Sequence, residues 1–154
     1  MLLENQGIMI LSRLIYSRRP TSWLKTEDVQ AILKSARERN AVLGVTGALF
    51  FRHDLFIQVL EGSRRNLSSL LEMILDDDRH SDLMLHDFRE IGERQYSEWS
   101  MGYVSLTKAS KTRVMRFSPD TQFDPSHLRT EQLVEVLFDL ASCADGEQES
   151  TAAA

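Results

Sequence analysis

Cysteine is almost missing from this 154-residue chain: Cys143 is the only one. A lone thiol forms no intramolecular disulfide and builds no thiolate metal cluster. Its place near a polar tail reads as that of a half-buried small apolar residue rather than a nucleophile. Low-complexity sequence and internal repeats are missing too, apart from the terminal stretch 145–154. No run reaches the ~18 apolar residues of a membrane span, and residues 1–7 lack the basic and apolar regions of a signal peptide. The expected location is therefore the cytoplasm. Positive charge is in deficit, with 18 Lys and Arg against 23 Asp and Glu and a net charge of −5. That balance disfavours nucleic acid and anionic membranes as partners. The pairs Arg18-Arg19 and Arg64-Arg65 read as solvated surface. No G-x-G-x-x-G stretch is present, which removes the usual fingerprint of a nicotinamide-dependent redox enzyme.

What is present is an ordinary soluble composition, 42% hydrophobic and 27% charged, in a length that suits one domain. Residues 8–17 (IMILSRLIYS) are apolar at both parities and read as a strand covered on both faces. Arg18 to Lys25 reads as a loop. Thr26 then stands as an N-cap before Glu27 and Asp28, and Val29, Ile32, Leu33 and Ala36 mark one helical face. Lys34, Arg37 and Arg39 are expected in the last turns, with Asn40 at or just past the end. Val45 to Phe51 and Leu55 to Leu60 flank a polar turn and form a hairpin. The strand glycine Gly47 marks close approach by another group. His53, in the turn, carries no assigned role.

Gly62-Ser63 is expected to open a second helix, with Leu67, Leu70, Leu71 and Ile74 on its apolar face. Asp76, Asp77 and Asp78 at its end oppose the helix dipole, so the helix should stop near Leu75. A metal site from Asp76, Asp78 and His80 is conceivable, but a solvated acidic turn paired with Arg79 is the commoner arrangement. Leu83 to Ile91 and Trp99 to Leu106 read as the last two strands, the latter with Trp99, Met101 and Tyr103 on one face. A short helix over Ala109–Phe117 comes next, and Thr130 caps another carrying Leu133, Val136, Leu137 and Leu140.

Strand, helix, strand, strand, helix, strand, strand points to an α+β ferredoxin-like sandwich. Its mixed sheet of four to five strands carries two helices on one face. Ile57, Val59, Val104 and Leu106 have the parity of the other face, and the C-terminal helix is expected to pack on it, or on a second subunit. The expected division is 8–106 for the domain, 107–143 for a helical extension and 144–154 for the tail.

Gln58 is the misfit in this pattern. It interrupts the apolar run Phe56-Ile57-Gln58-Val59-Leu60, and burying an unpartnered amide costs a few kcal/mol. Either a polar group inside the fold satisfies it, or the interior holds a polar ligand.

Several stretches together carry a resemblance: Leu14-Ile15-Tyr16-Ser17, Asn40 with Gly44-Val45-Thr46-Gly47, Phe56 to Gly62, Asp78-Arg79-His80 and Trp99-Ser100-Met101. Their order and spacing, over about residues 10–106, resemble those of BLUF domains, the blue-light sensors that use FAD. The segment after them resembles the C-terminal extension of short, single-domain members, with no output enzyme in the chain. The resemblance implies a photoreceptor rather than an enzyme. FAD would lie between the two helices, edge-on to the sheet. Asn40 would bind the pyrimidine edge, and Arg39 and Arg79 would meet a ring carbonyl or the ribityl-phosphate chain. His80 would sit beside the ring or hold Arg79. Ile32, Leu71 and Ile74 would wall the pocket. Gln58 would bridge Tyr16 and the flavin, and Trp99 and Met101 would be the last-strand pair that responds. The implied photochemistry is proton-coupled electron transfer from Tyr16 through Gln58, leaving a rotated or tautomerised amide. Signalling would pass to a partner protein, with a homo-oligomer expected. Without the resemblance, a flavin redox protein and a chromophore-free ferredoxin-like regulatory module both fit the same residues.

Overall fold

Alternate side chains of the strand around Gln58 part to opposite sides of a sheet, and that division organises the molecule. The computed structural model describes residues 9–20, 22, 25–76, 80–106, 108–119 and 122–143. In chain order the elements are β1 (Leu11–Pro20), α1 (Thr26–Leu43), β2 (Thr46–Arg52), β3 (Leu55–Ser63), α2 (Arg64–Asp76), β4 (His80–Glu90), β5 (Gly102–Ser105), α3 (Lys108–Val114), a 3-10 turn (Pro125–His127) and α4 (Thr130–Cys143). The five strands form one sheet in the order β4-β1-β3-β2-β5. Its pairs are antiparallel except β2 with β5, which run parallel. This is the ferredoxin-like α+β sandwich with a fifth strand added at one edge.

The front face carries Leu14, Tyr16, Leu49, Phe56 and Leu60, packed against Val29, Leu33 and Ala36 of α1 and Leu67 and Leu70 of α2. The back face carries Ile15, Ala48, Phe50, Ile57, Val59 and Val104, and α4 lies on it through Leu133, Val136, Leu137, Leu140 and Ala141. Fourteen residues of isolated helix are marginal in water, so the apolar stripe of α4 holds only because the sheet receives it. The two covers explain why β1 and β3 are apolar at both parities.

Several boundaries differ from the sequence reading. β1 runs on to Pro20 because Arg18 is not solvated: it is 4% exposed and its guanidinium donates to the Ile74 carbonyl, one of the orphan acceptors at the end of α2. α1 begins after Lys25, whose N–H is accepted by Asp28 Oδ2 at 2.9 Å, so Thr26 is its first residue rather than its cap. It continues to Leu43, so Lys34, Arg37 and Arg39 lie before the last turn and Asn40 lies inside the helix. Gly44, at φ +66°, supplies the left-handed residue that ends it, and the Val45 N–H donates to the Asn40 carbonyl at 3.0 Å. β3 extends through Ser63, whose Oγ then accepts the Asn66 N–H at 3.1 Å in the first turn of α2. β4 starts at His80, earlier than its apolar alternation suggested.

Trp99 and Met101 do not share a face. Trp99 packs on the back core and Met101 belongs to the front cluster. Both precede the ladder of β5, in a segment turned by the Trp99 N–H donating to the Tyr96 carbonyl at 3.2 Å. Two-residue parity holds only within the extended ladder, where Tyr103 faces front and Val104 back. Cys143 is exposed rather than half-buried.

Gly47 meets the expected close approach. A Cβ there would stand 1.9 Å from the Val59 carbonyl oxygen, so β2 and β3 pack against each other where only hydrogen fits.

Candidate functional site

Tyr16 and Gln58 are Cα partners in the β1–β3 ladder. Both side chains project to the front, both are 4% exposed, and the Tyr16 hydroxyl donates to Gln58 Oε1. Gln58 shares its side with Phe56 and Leu60, as its parity requires. The partner of the misfit amide is therefore a tyrosine held opposite it by the sheet itself.

Asn40 closes the next part of the site. It is fully buried on α1, and its Nδ2 donates to the Ser100 carbonyl at 2.8 Å. One turn earlier, Arg37 Nε donates to the Met101 carbonyl at 3.0 Å, and burial pulls the Arg37 guanidinium below its ordinary pKa. The two side chains clamp successive peptide carbonyls of the segment that delivers Met101, itself fully buried, to the front.

Several polar atoms remain over. Among the described residues Asn40 Oδ1 is buried without a donor, and Arg37 Nη2 and Arg39 Nε are buried without an acceptor. Buried polar atoms are nearly always paired, so an orphaned acceptor calls for a further group. The pyrimidine edge of an isoalloxazine ring, with an N–H between two carbonyls, matches a side-chain amide acceptor and a guanidinium donor.

The expected apolar walls lie on the front side of the sheet. Ile32 on α1 and Leu71 and Ile74 on α2 are half-buried and pack against the front cluster. Arg79 falls outside the described residues. The His80 backbone pairs with Pro20 in β4, while its side chain lies outside them. Asp78 lies outside them as well, and no group of three metal-ligating side chains occurs among the described residues.

The family model described as sensors of blue light using FAD matches residues 11–102. The chain belongs to the BLUF family. BLUF domains take FAD as their cofactor, and the orphaned amide oxygen of Asn40 fits that ligand. Among relatives, the beta subunit of photoactivated adenylate cyclase from Euglena longa is 34% identical over 114 residues, covering 73% of this chain and 13% of that protein. The corresponding Euglena gracilis subunit is 33% identical with the same coverage. The chain thus spans only a small part of the length of these relatives. Among solved structures, BlsA in its photo-activated state superposes with a TM-score of 0.76 at 27% identity, over 85% of this chain and 94% of that one. The dark-state structure of BlrB, a BLUF protein, superposes at 0.68 and 28% identity, over 88% and 98%. The fold is thus shared with BLUF proteins whose own chains are covered almost end to end.

Residue patterns alone missed the side chains and carbonyls that position the segment running into β5. Arg37 and Ser100 act through main-chain carbonyls, which no side-chain motif reveals. Glu61 carried a usable signal: a carboxylate in an otherwise apolar strand, with the parity of the back face. It is fully buried, and its oxygens accept the Gln95 and Tyr96 N–H groups at 2.8 Å each. Burial raises its pKa, against the opposing pull of those two N–H groups and of Arg94 and Arg13.

Proposed function

We propose that this chain is a blue-light photoreceptor whose switch is the Tyr16–Gln58 pair, with FAD held at the front between α1 and α2. The observation that carries this is the buried Tyr16–Gln58 hydrogen bond in the same front layer as the orphaned Asn40 oxygen. In this reading Asn40 and Arg39 bind the pyrimidine edge, and Ile32, Leu71 and Ile74 exclude water from the ring. His80, at the start of β4, and Arg79 complete the proposed set. Bound FAD supplies the absorption of blue light and a nearby electron acceptor in its excited state.

The protein's own part is to hold one proton and one amide in two arrangements. In the arrangement described, the Tyr16 hydroxyl donates its proton toward Gln58 Oε1, which accepts, and this fixes Nε2 on the side away from the tyrosine. Rotating the amide by half a turn would bring Nε2 to Tyr16 Oη, which then accepts, and would turn Oε1 toward the opposite side. The two states differ by one exchanged hydrogen-bond pattern, worth about 1 kcal/mol per bond. A difference of that size is enough to shift a balanced equilibrium about fivefold.

The chain itself turns over no substrate in this proposal. Residues 8–106 form the flavin-binding unit and 107–143 an extension that passes the signal to a partner protein or a second copy. Among the described residues no helix is long and apolar enough to cross a membrane. A lone cysteine asks for no oxidising compartment, which supports a cytoplasmic location.

The test is an absorption spectrum of the purified protein in darkness and under blue light. A yellow protein whose flavin band shifts to the red by a small amount and returns in darkness is expected. Gln58→Leu should stay yellow and lose the shift; a normal photocycle in that variant would overturn the role given to Gln58.

A further inference from the structure

The connection between β4 and β5 crosses from the back of the sheet to the front, and one side chain fastens its crossing point. The Glu61 carboxylate is fully buried, and both of its oxygens are engaged by consecutive backbone donors, Gln95 N–H and Tyr96 N–H. From the rim, Arg94 grips the same place: its Nη1 donates to Thr46 Oγ1 at 2.8 Å and to the Glu61 carbonyl at 3.2 Å, and its Nη2 to the Gly44 carbonyl at 2.8 Å. From Tyr96 onward the chain is fixed link by link. The Tyr96 carbonyl accepts the Trp99 N–H, the Trp99 carbonyl accepts the Gly47 N–H at 2.9 Å, and Asn40 and Arg37 hold the next two carbonyls.

We propose that Glu61 is a positioning residue of the light switch: its carboxylate locks the 94–96 turn and thereby decides that Met101 faces the front and Trp99 the back. The inference rests on the photoswitch reading above and adds to it the group that sets the resting position of the responding segment. Glu61 stands three residues after Gln58 on β3, so the switch amide and the lock are carried by one rigid strand. The output side is equally direct. The Tyr96 ring lies 5.6 Å from Trp99 and 5.7 Å, edge-on, from Phe138 of α4. A shift of the 94–96 turn therefore reaches α4 through one aromatic ring.

A carboxylate suits this task better than an amide. The two backbone N–H groups reach separate oxygens of the carboxylate, and a glutamine has only one, so Glu61→Gln sets an NH2 group against one of the buried donors. The lock is weakened while Tyr16, Gln58 and the flavin side keep their own contacts.

The experiment uses the full chain with FAD in a Trp23→Phe background, which leaves Trp99 as the only indole. Glu61→Gln is expected to stay yellow and keep the amplitude of the red shift. Its Trp99 emission in darkness should move to longer wavelength, as the indole leaves the back core. Dark recovery should slow by at least about fivefold, the rate equivalent of about 1 kcal/mol, because the lock that favours the resting position is weakened. Trp99 emission and recovery unchanged from the parent would overturn the inference, even if thermal stability falls, because a merely structural carboxylate would lower stability alone. Should Glu61→Gln fail to fold, Arg94→Gln releases the same turn from the rim, and the same two readouts decide in the same way. A parent protein without any red shift would instead overturn the photoswitch reading, and the dark emission of Trp99 would still decide the lock.

Discussion

The Tyr16 hydroxyl meets the Gln58 amide across a directly registered pair of β1 and β3, so backbone pairing rather than side-chain reach sets their contact. Removing the hydroxyl leaves Gln58 Oε1 buried without that donor. Tyr16→Phe should therefore cost about 1–3 kcal/mol of stability, read by thermal or denaturant unfolding. The same variant should hold FAD and show no reversible red shift. A normal shift would remove the tyrosine from the switch.

Asn40 serves two directions at once, donating to Ser100 and leaving Oδ1 over. Asn40→Ala deletes both functions. The loss of one to two hydrogen bonds, at about 1 kcal/mol each, should weaken FAD binding roughly tenfold in a flavin fluorescence titration. Unchanged affinity would mean that the orphaned oxygen recognises something else.

Gly47 and Gly92 form a matched pair for a packing test. A Cβ at position 47 would stand 1.9 Å from one backbone oxygen and 2.9 Å from the carbonyl carbon of Val59, whereas nothing lies within 4 Å of one at position 92. Gly47→Ala should destabilise by about 3 kcal/mol or more, and Gly92→Ala should stay within about 0.5 kcal/mol of the parent. Chemical denaturation midpoints give the comparison. Equal stabilities would show that β2 yields easily at this point.

Glu61 makes stability depend on pH. Its folded pKa is raised by burial, so the folded state holds the proton to higher pH than the unfolded chain. The group's contribution is fully present below the ordinary carboxylate range and is lost as pH rises through the folded value. The charged groups facing it are Arg13 from β1 and Arg94 from the β4–β5 connection, and Arg13 is also paired with Asp87 of β4 at 2.8 Å. Melting temperatures of the parent and Glu61→Gln should be compared from about pH 4 to about pH 7. The advantage of the parent over the variant should shrink as pH rises. An advantage that grows with pH would reverse the assigned shift.

Much of this architecture was legible in the chain because periodicity reports burial. Ile57 and Val59 against Phe56 and Leu60 separated the two faces, and Leu133, Val136, Leu137 and Leu140 announced the helix that covers the back. Gln58 stood out because a lone amide in an apolar strand needs a reason. What escaped was chemistry carried by the main chain or by long side chains that fold back. Arg18 looked solvated beside Arg19, yet its guanidinium reaches the end of α2. Trp99 and Met101 looked like neighbours on one face, because alternation was applied where the chain turns instead of running straight. Asn40 looked like a helix terminator, although Gly44 takes that place.

The division of the sheet into a front and a back has a consequence for how such a domain can be reused. In the proposed reading the front residues answer to the chromophore, while the surface under α4 answers to whatever is laid on it. The segment from Tyr96 to Met101 is pinned toward both sides, joining the back core through Trp99 and the front cluster through Met101. Sequence after β5 is therefore free to be exchanged, as a plug is exchanged on a common socket, so long as the newcomer keeps a ring or an aliphatic side chain against Tyr96. A chimera carrying a different helix there should keep its colour and its light response while changing what it commands.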